Sequence, residues 1–292
     1  MNLLAVDIGN TDIKFGIFRD GELTQQWRAS GTRTHPEKFS AMLRDSLART
    51  GVDFGALVYT SVVPDIELVF RKTIQYCFHL PDARIFAVNP QTIQLPLDFS
   101  HYPLEQLGMD RLVNACSARL LYPNTPLIVV DMGTATTFDL VSADGVYLGG
   151  AITPGLRTFM DSLTLKAPRL PEVSLIDKSY DTLKMGSNTV ACIEAGLGLG
   201  YRGLMTELLL ASRETLNLNT LHQTPEELAE QLFGEDAALA PCTIATGGLA
   251  ESVIRIGGMA DDFQVIDPLL TLKGLQLLYT YNRTRQPVGV PG

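Results

Sequence analysis

Short apolar segments alternate with amphipathic segments along the chain, and each kind predicts a different element. Residues 3–7 form an apolar run that ends on an acid, and alternating apolar residues follow after a short polar turn. This pattern predicts a strand, a tight turn and a second strand. Residues 56–63 and 84–88 are also predicted strands, whereas residues 36–49 and 103–121 carry apolar side chains at helical spacing. Strands that alternate with helices indicate an α/β fold with a mostly buried sheet.

The first strand–turn–strand pattern recurs in the second half of the chain. Residues 127–131 form an apolar run that ends on an acid and continues through a glycine into a strand-like segment, as residues 3–7 do. An internal repeat of this kind predicts two copies of one α/β unit. We therefore expect two domains, residues 1–122 and residues 123–292.

The last third of the chain carries helix signals. Residues 224–227 (Thr-Pro-Glu-Glu) combine a threonine cap, a proline at the first position and a capping-box glutamate, which predicts a helix start. Residues 268–282 predict a final helix. Residues 198–203 match the dinucleotide fingerprint Gly-x-Gly-x-x-Gly, but they lie inside the helix-like run 189–210 and not after a strand. Close helix packing is therefore the preferred interpretation of these glycines.

Composition narrows the function classes. The net charge is −9, and no basic stripe is visible, which argues against a nucleic-acid or anionic-membrane surface. No apolar run approaches the roughly 20 residues of a membrane span, and the first residues lack the basic segment of a signal peptide. The four cysteines are scattered without CxxC spacing, so buried reduced thiols are predicted and a zinc site is not. We expect a cytoplasmic protein.

The two repeated turns carry candidate chemistry. In residues 7–11 (Asp-Ile-Gly-Asn-Thr), an acid at a strand end precedes a glycine, where the chain can turn with its N–H groups bared. Such a turn can hold a polyphosphate with Mg²⁺, although a hairpin turn is an equally good interpretation of one copy alone. The second copy, residues 131–136, favours the phosphate interpretation.

The paired turns resemble those of the actin, sugar kinase and heat-shock chaperone ATPase superfamily. Within it, six segments resemble type III pantothenate kinases, in the same order and over nearly the whole chain. They are Thr60-Ser61-Val62-Val63-Pro64, Gly108-Met109-Asp110-Arg111, Asp131-Met132-Gly133-Thr134-Ala135-Thr136, Gly149-Gly150-Ala151-Ile152-Thr153-Pro154-Gly155, Thr246-Gly247-Gly248 and Leu270-Thr271-Leu272-Lys273-Gly274-Leu275.

This resemblance implies a fold and an activity. The fold is two actin-like (ribonuclease H-like) domains, each a mixed sheet flanked by helices, with ATP in the cleft between them. The activity is phosphorylation of pantothenate by ATP to 4′-phosphopantothenate, the first step towards coenzyme A. The resemblance also implies Mg²⁺, a monovalent cation (K⁺ or NH₄⁺) and a homodimer.

The resemblance further implies residue roles. Asp110 is the expected catalytic base, and Asp131 is the expected ligand of the monovalent cation. The expected ATP-binding residues are Asp7, Ile8, Gly9, Asn10, Thr11, Asp12, Ile13, Lys14 and Thr134. The expected pantothenate-binding residues are Tyr102, Gly108, Met109, Asp110, Arg111 and Thr182, the last contributed across the dimer.

The residues alone leave alternatives open. An acid at the position of Asp110 can simply stabilise the first turn of a helix, and only the resemblance favours catalysis. A carboxylate within reach of a hydroxyl can accept its proton, and the fork of donors on Arg111 suits a carboxylate. Two rival functions are a kinase or phosphatase for a sugar or polyphosphate, and a non-catalytic regulator.

Overall fold

A computed structural model of the chain describes residues 2–30, 36–219 and 240–285. The chain forms two compact units that interleave in sequence. Unit 1 is drawn from Met1–Pro96, Pro103–Leu120 and Leu270–Gly292, and unit 2 from Leu97–Tyr102 and Leu121–Leu269. Neither unit is one continuous stretch of the chain, because the last helix belongs to unit 1. The division into domains at residue 122 remains a prediction.

Unit 1 is a five-stranded mixed sheet in the order β3-β2-β1-β4-β5. The central strand β1 is antiparallel to β2 and parallel to β4. The strands are β1 (Leu3–Ile8), β2 (Asp12–Arg19), β3 (Glu22–Ser30), β4 (Ala56–Ser61) and β5 (Ile85–Ala87). The helices of this unit are α1 (Pro36–Ala48), α2 (Pro64–Phe78), α3 (Met109–Leu121) and, from the end of the chain, α7 (Leu270–Arg285).

Unit 2 contains a second five-stranded sheet, in the order β10-β9-β6-β7-β8. Its central strand β6 is antiparallel to β7 and parallel to β9. The strands are β6 (Leu127–Met132), β7 (Ala135–Val141), β8 (Tyr147–Pro154), β9 (Cys242–Thr246) and β10 (Val265–Ile266). The helices are α4 (Leu156–Lys166), α5 (Thr189–Asn219) and α6 (Ala250–Gly257).

The two sheets share one topology. In each unit the first strand is central, the second and third strands extend the sheet in antiparallel pairing, and the fourth and fifth extend it in parallel pairing. The internal repeat predicted from the sequence is therefore a repeat of topology, with β1 equivalent to β6. This confirms the predicted α/β class with two mixed sheets flanked by helices.

Each unit has its own apolar core. In unit 1, the side chains of β1, β2 and β4 pack with α1 and α2, and Ile8 and Ile13 are fully buried among them. In unit 2, the side chains of β6 and β7 pack with α4, α5 and α6. No helix among the described residues is long and apolar enough to cross a membrane.

Some predicted elements differ from the structure. The predicted helix 103–121 begins only at Met109, because Pro103 is extended and residues 104–106 form a separate 3-10 turn. The edge strand β3 was not predicted from the sequence, since most of its side chains are exposed and leave no apolar run. The helix start at 224–227 and the tail from 286 lie outside the described residues.

The cysteines are free thiols, as predicted, but they are not all buried. Cys116 is buried and Cys242 partly buried, whereas Cys77 and Cys192 are exposed. The prediction of buried thiols was therefore wrong for two of the four, because each of the two is placed on an exposed side of a helix.

Candidate functional site

An acid and a lysine face each other at the first turn of unit 1. Asp7 on β1 lies opposite Lys14 on β2 in the antiparallel register, and Lys14 Nζ is 3.2 Å from Asp7 Oδ2. The Gly9 N–H donates to the Asp12 carbonyl at 3.0 Å and closes the turn between them. This turn places a lysine charge and exposed backbone beside a nearly buried carboxylate, an arrangement that can hold an anion and a metal ion.

A third strand adds a hydroxyl to this carboxylate. Thr60 on β4 lies opposite Asp7 in the parallel register. Its side chain is buried, and Thr60 Oγ1 has no hydrogen-bond partner among the described residues. A buried hydroxyl without a partner is costly, so its presence in a native structure calls for an explanation.

Asp110 is placed at the start of α3 by a close fit with a glycine. It is the second residue of the helix, and the Arg111 N–H donates to Asp110 Oδ1 at 2.8 Å. A Cβ atom on Gly108 would lie 2.7 Å from the same oxygen, so only glycine leaves room for the carboxylate in this position. Glycine at residue 108 therefore leaves the space that the Asp110 carboxylate occupies.

The pKa of Asp110 is raised above the ordinary aspartate value, chiefly because burial disfavours the charged form. The Arg111 N–H opposes this shift by hydrogen bonding, the negative charge of Asp7 adds to it, and the positive charges of Arg111 and Lys14 oppose it. The structure thus brings the first turn and the predicted base close enough for their charges to interact. A carboxylate with a raised pKa is better matched to accepting a proton than an ordinary surface aspartate.

Unit 2 repeats the carboxylate at the equivalent position. Asp131 on β6 lies opposite Thr137 on β7 and opposite Thr246 on β9. Thr246 is fully buried, and its Oγ1 has no hydrogen-bond partner among the described residues. The carboxylate is also in tight contact with Gly247, which has a φ of +94°. A Cβ atom there would lie 2.4 Å from Asp131 Oδ1.

The second turn is braced by the segment that follows β8. The Gly155 N–H donates to the Thr134 carbonyl at 3.0 Å, and Thr158 Oγ1 donates to the same oxygen at 2.7 Å. A Cβ atom on Gly155 would lie 2.1 Å from the Gly133 carbonyl oxygen, so the backbones can approach only because residue 155 is glycine. The side chain of Thr134 remains exposed on this rigid turn.

The donors around Asp131 are those of a hard cation. No group of three histidine, cysteine, aspartate or glutamate residues occurs in the described part of the chain, which leaves no candidate for a zinc-type site there. The Asp131 carboxylate and the unpartnered Thr246 hydroxyl are both oxygen donors, and hard cations prefer oxygen. These oxygen donors are therefore of the kind that a hard cation takes, and the role of Asp131 as ligand of a monovalent cation remains a prediction.

Tyr102 lies in unit 2 at the end of a buried aromatic chain. Its ring meets the edge of the Tyr147 ring at a centroid distance of 5.2 Å, and it packs against Gly149. Tyr147 donates to Asp139 Oδ1 at 2.6 Å, and Thr137 donates to Asp139 Oδ2 at 3.3 Å. Asp139 is fully buried, so these bonds hold an interior carboxylate beneath the aromatic pair.

Thr182 closes an exposed 3-10 turn in unit 2. Its Oγ1 donates to the Ser179 carbonyl at 2.6 Å. The turn is fixed by Tyr180, whose ring lies 3.9 Å from the Arg202 guanidinium carbon and against Gly258. The Thr182 side chain is therefore presented to solvent by an anchored segment.

Comparisons with known proteins show the family of the chain. A sequence profile of the type III pantothenate kinases matches residues 3–211. The chain belongs to the type III pantothenate kinase family. A type III pantothenate kinase of Anaeromyxobacter sp. (strain K) is 36% identical over 287 residues, with 96% of this chain and 100% of the relative covered. One from Dehalococcoides mccartyi (strain CBDB1) is 33% identical over 285 residues, with 96% of each chain covered.

Solved structures agree on the fold. A structure from Campylobacter jejuni, described as a Baf family transcriptional activator, has a TM-score of 0.54 at 18% identity, with 96% of this chain and 99% of that chain covered. Component A of the (R)-2-hydroxyglutaryl-CoA dehydratase of Acidaminococcus fermentans has a TM-score of 0.50 at 13% identity, with 98% and 100% covered. At these identities the likeness concerns the fold alone.

Membership in the type III pantothenate kinase family makes this chain a kinase that uses ATP with a divalent metal ion. Of the predicted site residues, 7–14 and 108–111 lie in unit 1, whereas Tyr102, Asp131, Thr134 and Thr182 lie in unit 2. Ile8 and Ile13 are fully buried in the core, which leaves their backbone atoms for any contact with ATP. The individual roles remain predictions.

Two residues that lie opposite the predicted acids were not predicted from the sequence as site residues. Thr60 and Thr246 occupy equivalent register positions, and both carry buried hydroxyls without a partner among the described residues. Both lie in segments whose sequence resembles the family, but only the strand pairing reveals that each adjoins an acid. Among the glycines set aside, Gly198 packs tightly, since a Cβ atom there would lie 2.5 Å from Leu183. The prediction of close packing was wrong for Gly200 and Gly203, where an added Cβ atom meets nothing within 4 Å.

Proposed function

We propose that this pantothenate kinase transfers the γ-phosphoryl group of ATP to the primary hydroxyl of pantothenate, with Asp110 as proton acceptor. The observation that carries this proposal is the half-buried carboxylate of Asp110, with a raised pKa, within electrostatic reach of Asp7 and Lys14. A base beside the phosphate-binding turn is what an acceptor hydroxyl needs as its bond to phosphorus forms.

The phosphate groups are assigned to the two turns. In unit 1, residues 7–14 offer the Lys14 ammonium and backbone N–H groups, and Asp7 offers a carboxylate for the divalent ion that ATP brings. In unit 2, Thr134 offers an exposed hydroxyl on a turn held rigid by Gly155. Phosphoryl transfer depends on positioning and charge stabilisation, which rigid turns of this kind provide. The bound divalent ion neutralises phosphate charge.

The pantothenate contacts are assigned to three segments, which are residues 108–111, Tyr102 and Thr182. Arg111 is buried beside Asp110 and offers a planar fork of donors to the carboxylate of pantothenate. Gly108 and Met109 shape the start of α3, while Tyr102 and Thr182 are proposed as further contacts. Thr182 acts across a homodimer in this proposal, which rests on the family resemblance, and light scattering on the purified protein tests the dimer.

Asp131 is proposed as the ligand of a monovalent cation, with Thr246 Oγ1 as a second donor. The support is the oxygen-only character of these two groups and the lack of a partner for the buried hydroxyl among the described residues. We expect K⁺ or NH₄⁺ to raise turnover strongly over Na⁺ at equal ionic strength. Equal rates in the three salts would remove the cation from the proposal.

The deciding experiment measures ADP release with ATP, Mg²⁺ and K⁺, with and without pantothenate, for wild type, Asp110→Asn and Asp65→Asn. Asp65 is the matched control, because it is the second residue of α2 but is exposed. We expect turnover that depends on pantothenate in wild type and Asp65→Asn, and a loss of about 10²-fold or more in folded Asp110→Asn.

Two results would contradict parts of this proposal. Turnover that survives Asp110→Asn would leave the kinase activity but remove Asp110 as its base. Pantothenate-independent turnover by wild type would instead require a panel of sugars and polyphosphate as acceptors. We also propose that the protein acts in the cytoplasm.

A further inference from the structure

The two units place different residues opposite their equivalent acids. In unit 1 the Asp7–Lys14 pair lies two residues outward from the Gly9–Asp12 pair that closes the turn. In unit 2 the Gly133 N–H donates to the Ala135 carbonyl, and the pair two residues outward is Asp131–Thr137. Thr137 therefore occupies in unit 2 the position that Lys14 occupies in unit 1.

This equivalence extends to the other side of each acid. Thr60 and Thr246 lie on the equivalent strands β4 and β9, opposite Asp7 and Asp131. Both hydroxyls are buried and lack a partner among the described residues. Each unit thus pairs an acid with a threonine at equivalent positions, and one difference between the units is the ammonium group that Lys14 places on β2, since β7 carries no lysine.

We propose that the Lys14 ammonium group has in unit 1 the role that the monovalent cation has in unit 2. Unit 2 carries Thr137 instead of a lysine at the equivalent position, and it therefore depends on a cation from solution. The proposal rests on the cation site proposed at Asp131. A lysine ammonium is a compact unit charge with the same sign and size of charge as K⁺. Antiparallel residues directly opposite each other present their side chains on one face, so residue 137 can serve the same carboxylate.

The geometry allows a lysine at residue 137 to take the place of the cation proposed at Asp131. Lys14 reaches its carboxylate at 3.2 Å from this register position, so a lysine at the equivalent position of unit 2 spans the same separation. Thr137 is nearly buried and donates to Asp139 at 3.3 Å, a long bond to an acid that also accepts from Tyr147. Replacing Thr137 therefore removes a weak contact and leaves the shorter one in place.

The test is Thr137→Lys, with Thr137→Met as a control of similar length and no charge. Thermal unfolding is followed in KCl and in tetramethylammonium chloride at equal ionic strength, without substrates. We expect K⁺ to raise the Tm of wild type and of Thr137→Met by about 2–4 °C. In Thr137→Lys we expect no rise, and pantothenate-dependent turnover should persist in tetramethylammonium chloride, where wild type falls by about 10²-fold.

The outcomes separate this proposal from the proposed function. A folded Thr137→Lys variant that keeps the K⁺-dependent rise in Tm would overturn the proposal, and so would a wild type whose Tm ignores K⁺. Wild type that shows the rise but no turnover with pantothenate would contradict the function while leaving the cation site intact.

A second variant decides the matter if Thr137→Lys does not fold. Lys14→Thr converts the unit 1 position to the residue found in unit 2. We expect the K⁺-dependent rise in Tm to become larger than in wild type, because two sites then take up the ion. A rise equal to that of wild type would show that the two positions are not equivalent, and the proposal would be wrong.

Discussion

Gly108 and Asp110 fit together so closely that a single added carbon at residue 108 would lie 2.7 Å from Asp110 Oδ1. No carbon can stay that near an oxygen without a shift, and the carboxylate is the part that can move. The proposed base can keep this position only because residue 108 is a glycine and has no Cβ atom.

Gly108→Ala should therefore displace the Asp110 carboxylate and lower kcat. We expect a loss of about tenfold to 100-fold, the range that a misplaced catalytic group produces, with little change in Tm. Steady-state kinetics and thermal unfolding measure the two effects. Gly200→Ala is the control, because a Cβ atom at that exposed position in α5 meets nothing within 4 Å. Unchanged kcat in Gly108→Ala would contradict the assignment of Asp110.

Asp110→Asn should raise stability at neutral pH while it abolishes turnover. Burial raises the pKa of Asp110 above the ordinary value of 3.8, so folding favours the protonated form. Its contribution to stability is complete below pH 3.8 and is lost as pH rises through the folded pKa. The variant should therefore gain Tm over wild type at pH 7, and this gain should shrink towards acid pH.

The same shift predicts the pH profile of turnover. A base accepts a proton only when ionised, so kcat/KM of wild type should fall with acid at a pH above 3.8. Rates measured from pH 8 down to below pH 3.8 locate this limb. An acid limb at the ordinary aspartate value would indicate that the raised pKa is absent in solution.

Gly247→Ala should disturb the cation site through two separate effects. The φ of +94° strains any other residue, and the new Cβ atom would lie 2.4 Å from Asp131 Oδ1. Gly21→Ala separates the effects, because Gly21 has a φ of +91° but no atom nearer than 3.9 Å. We expect Gly21→Ala to lose about 1–3 kcal/mol of unfolding free energy from the backbone strain. Gly247→Ala should lose more, because its Cβ atom would also lie 2.6 Å from the backbone N of Met132. Only Gly247→Ala should also weaken the K⁺-dependent rise in Tm.

Tyr147→Phe should destabilise unit 2 because it removes a donor from an interior carboxylate. Tyr147 donates to Asp139 at 2.6 Å, and Asp139 is fully buried. The expected loss is about 1–3 kcal/mol, measured by urea unfolding. Tyr279→Phe is the control, since Tyr279 only accepts from Arg283 at an exposed position. Equal stability of wild type and Tyr147→Phe would show that this bond contributes nothing net.

The sequence predicted the repeated core well, because apolar runs that end on an acid leave a direct trace of β1 and β6. It predicted the start of α3 poorly, since residues 103–108 share the apolar spacing of the helix but are interrupted by Pro103 and a separate turn. Propensity and spacing could not show where that helix begins. The structure shows that it begins at Met109, after the 3-10 turn of residues 104–106.

Site residues could be proposed from the sequence only where a motif carries them. Asp7, Asp110 and Asp131 were proposed in that way, and their roles remain predictions. Thr60 and Thr246 could not be assigned beside the acids, because strand register depends on pairing across long separations in the chain. The contrast between Lys14 and Thr137 also needs the register, since the second turn is one residue shorter than the first.

The packing of α7 has a consequence for synthesis of the protein. This helix follows every described strand of unit 2 in the sequence but contacts much earlier elements: a Cβ atom on Gly16 in β2 would lie 3.4 Å from Leu272, and Gly274 packs against Val113 and Ser117 in α3. A nascent chain therefore has every strand of unit 2 available before unit 1 receives its final helix. Unit 1, whose strands precede those of unit 2 in the sequence, is thus completed after them.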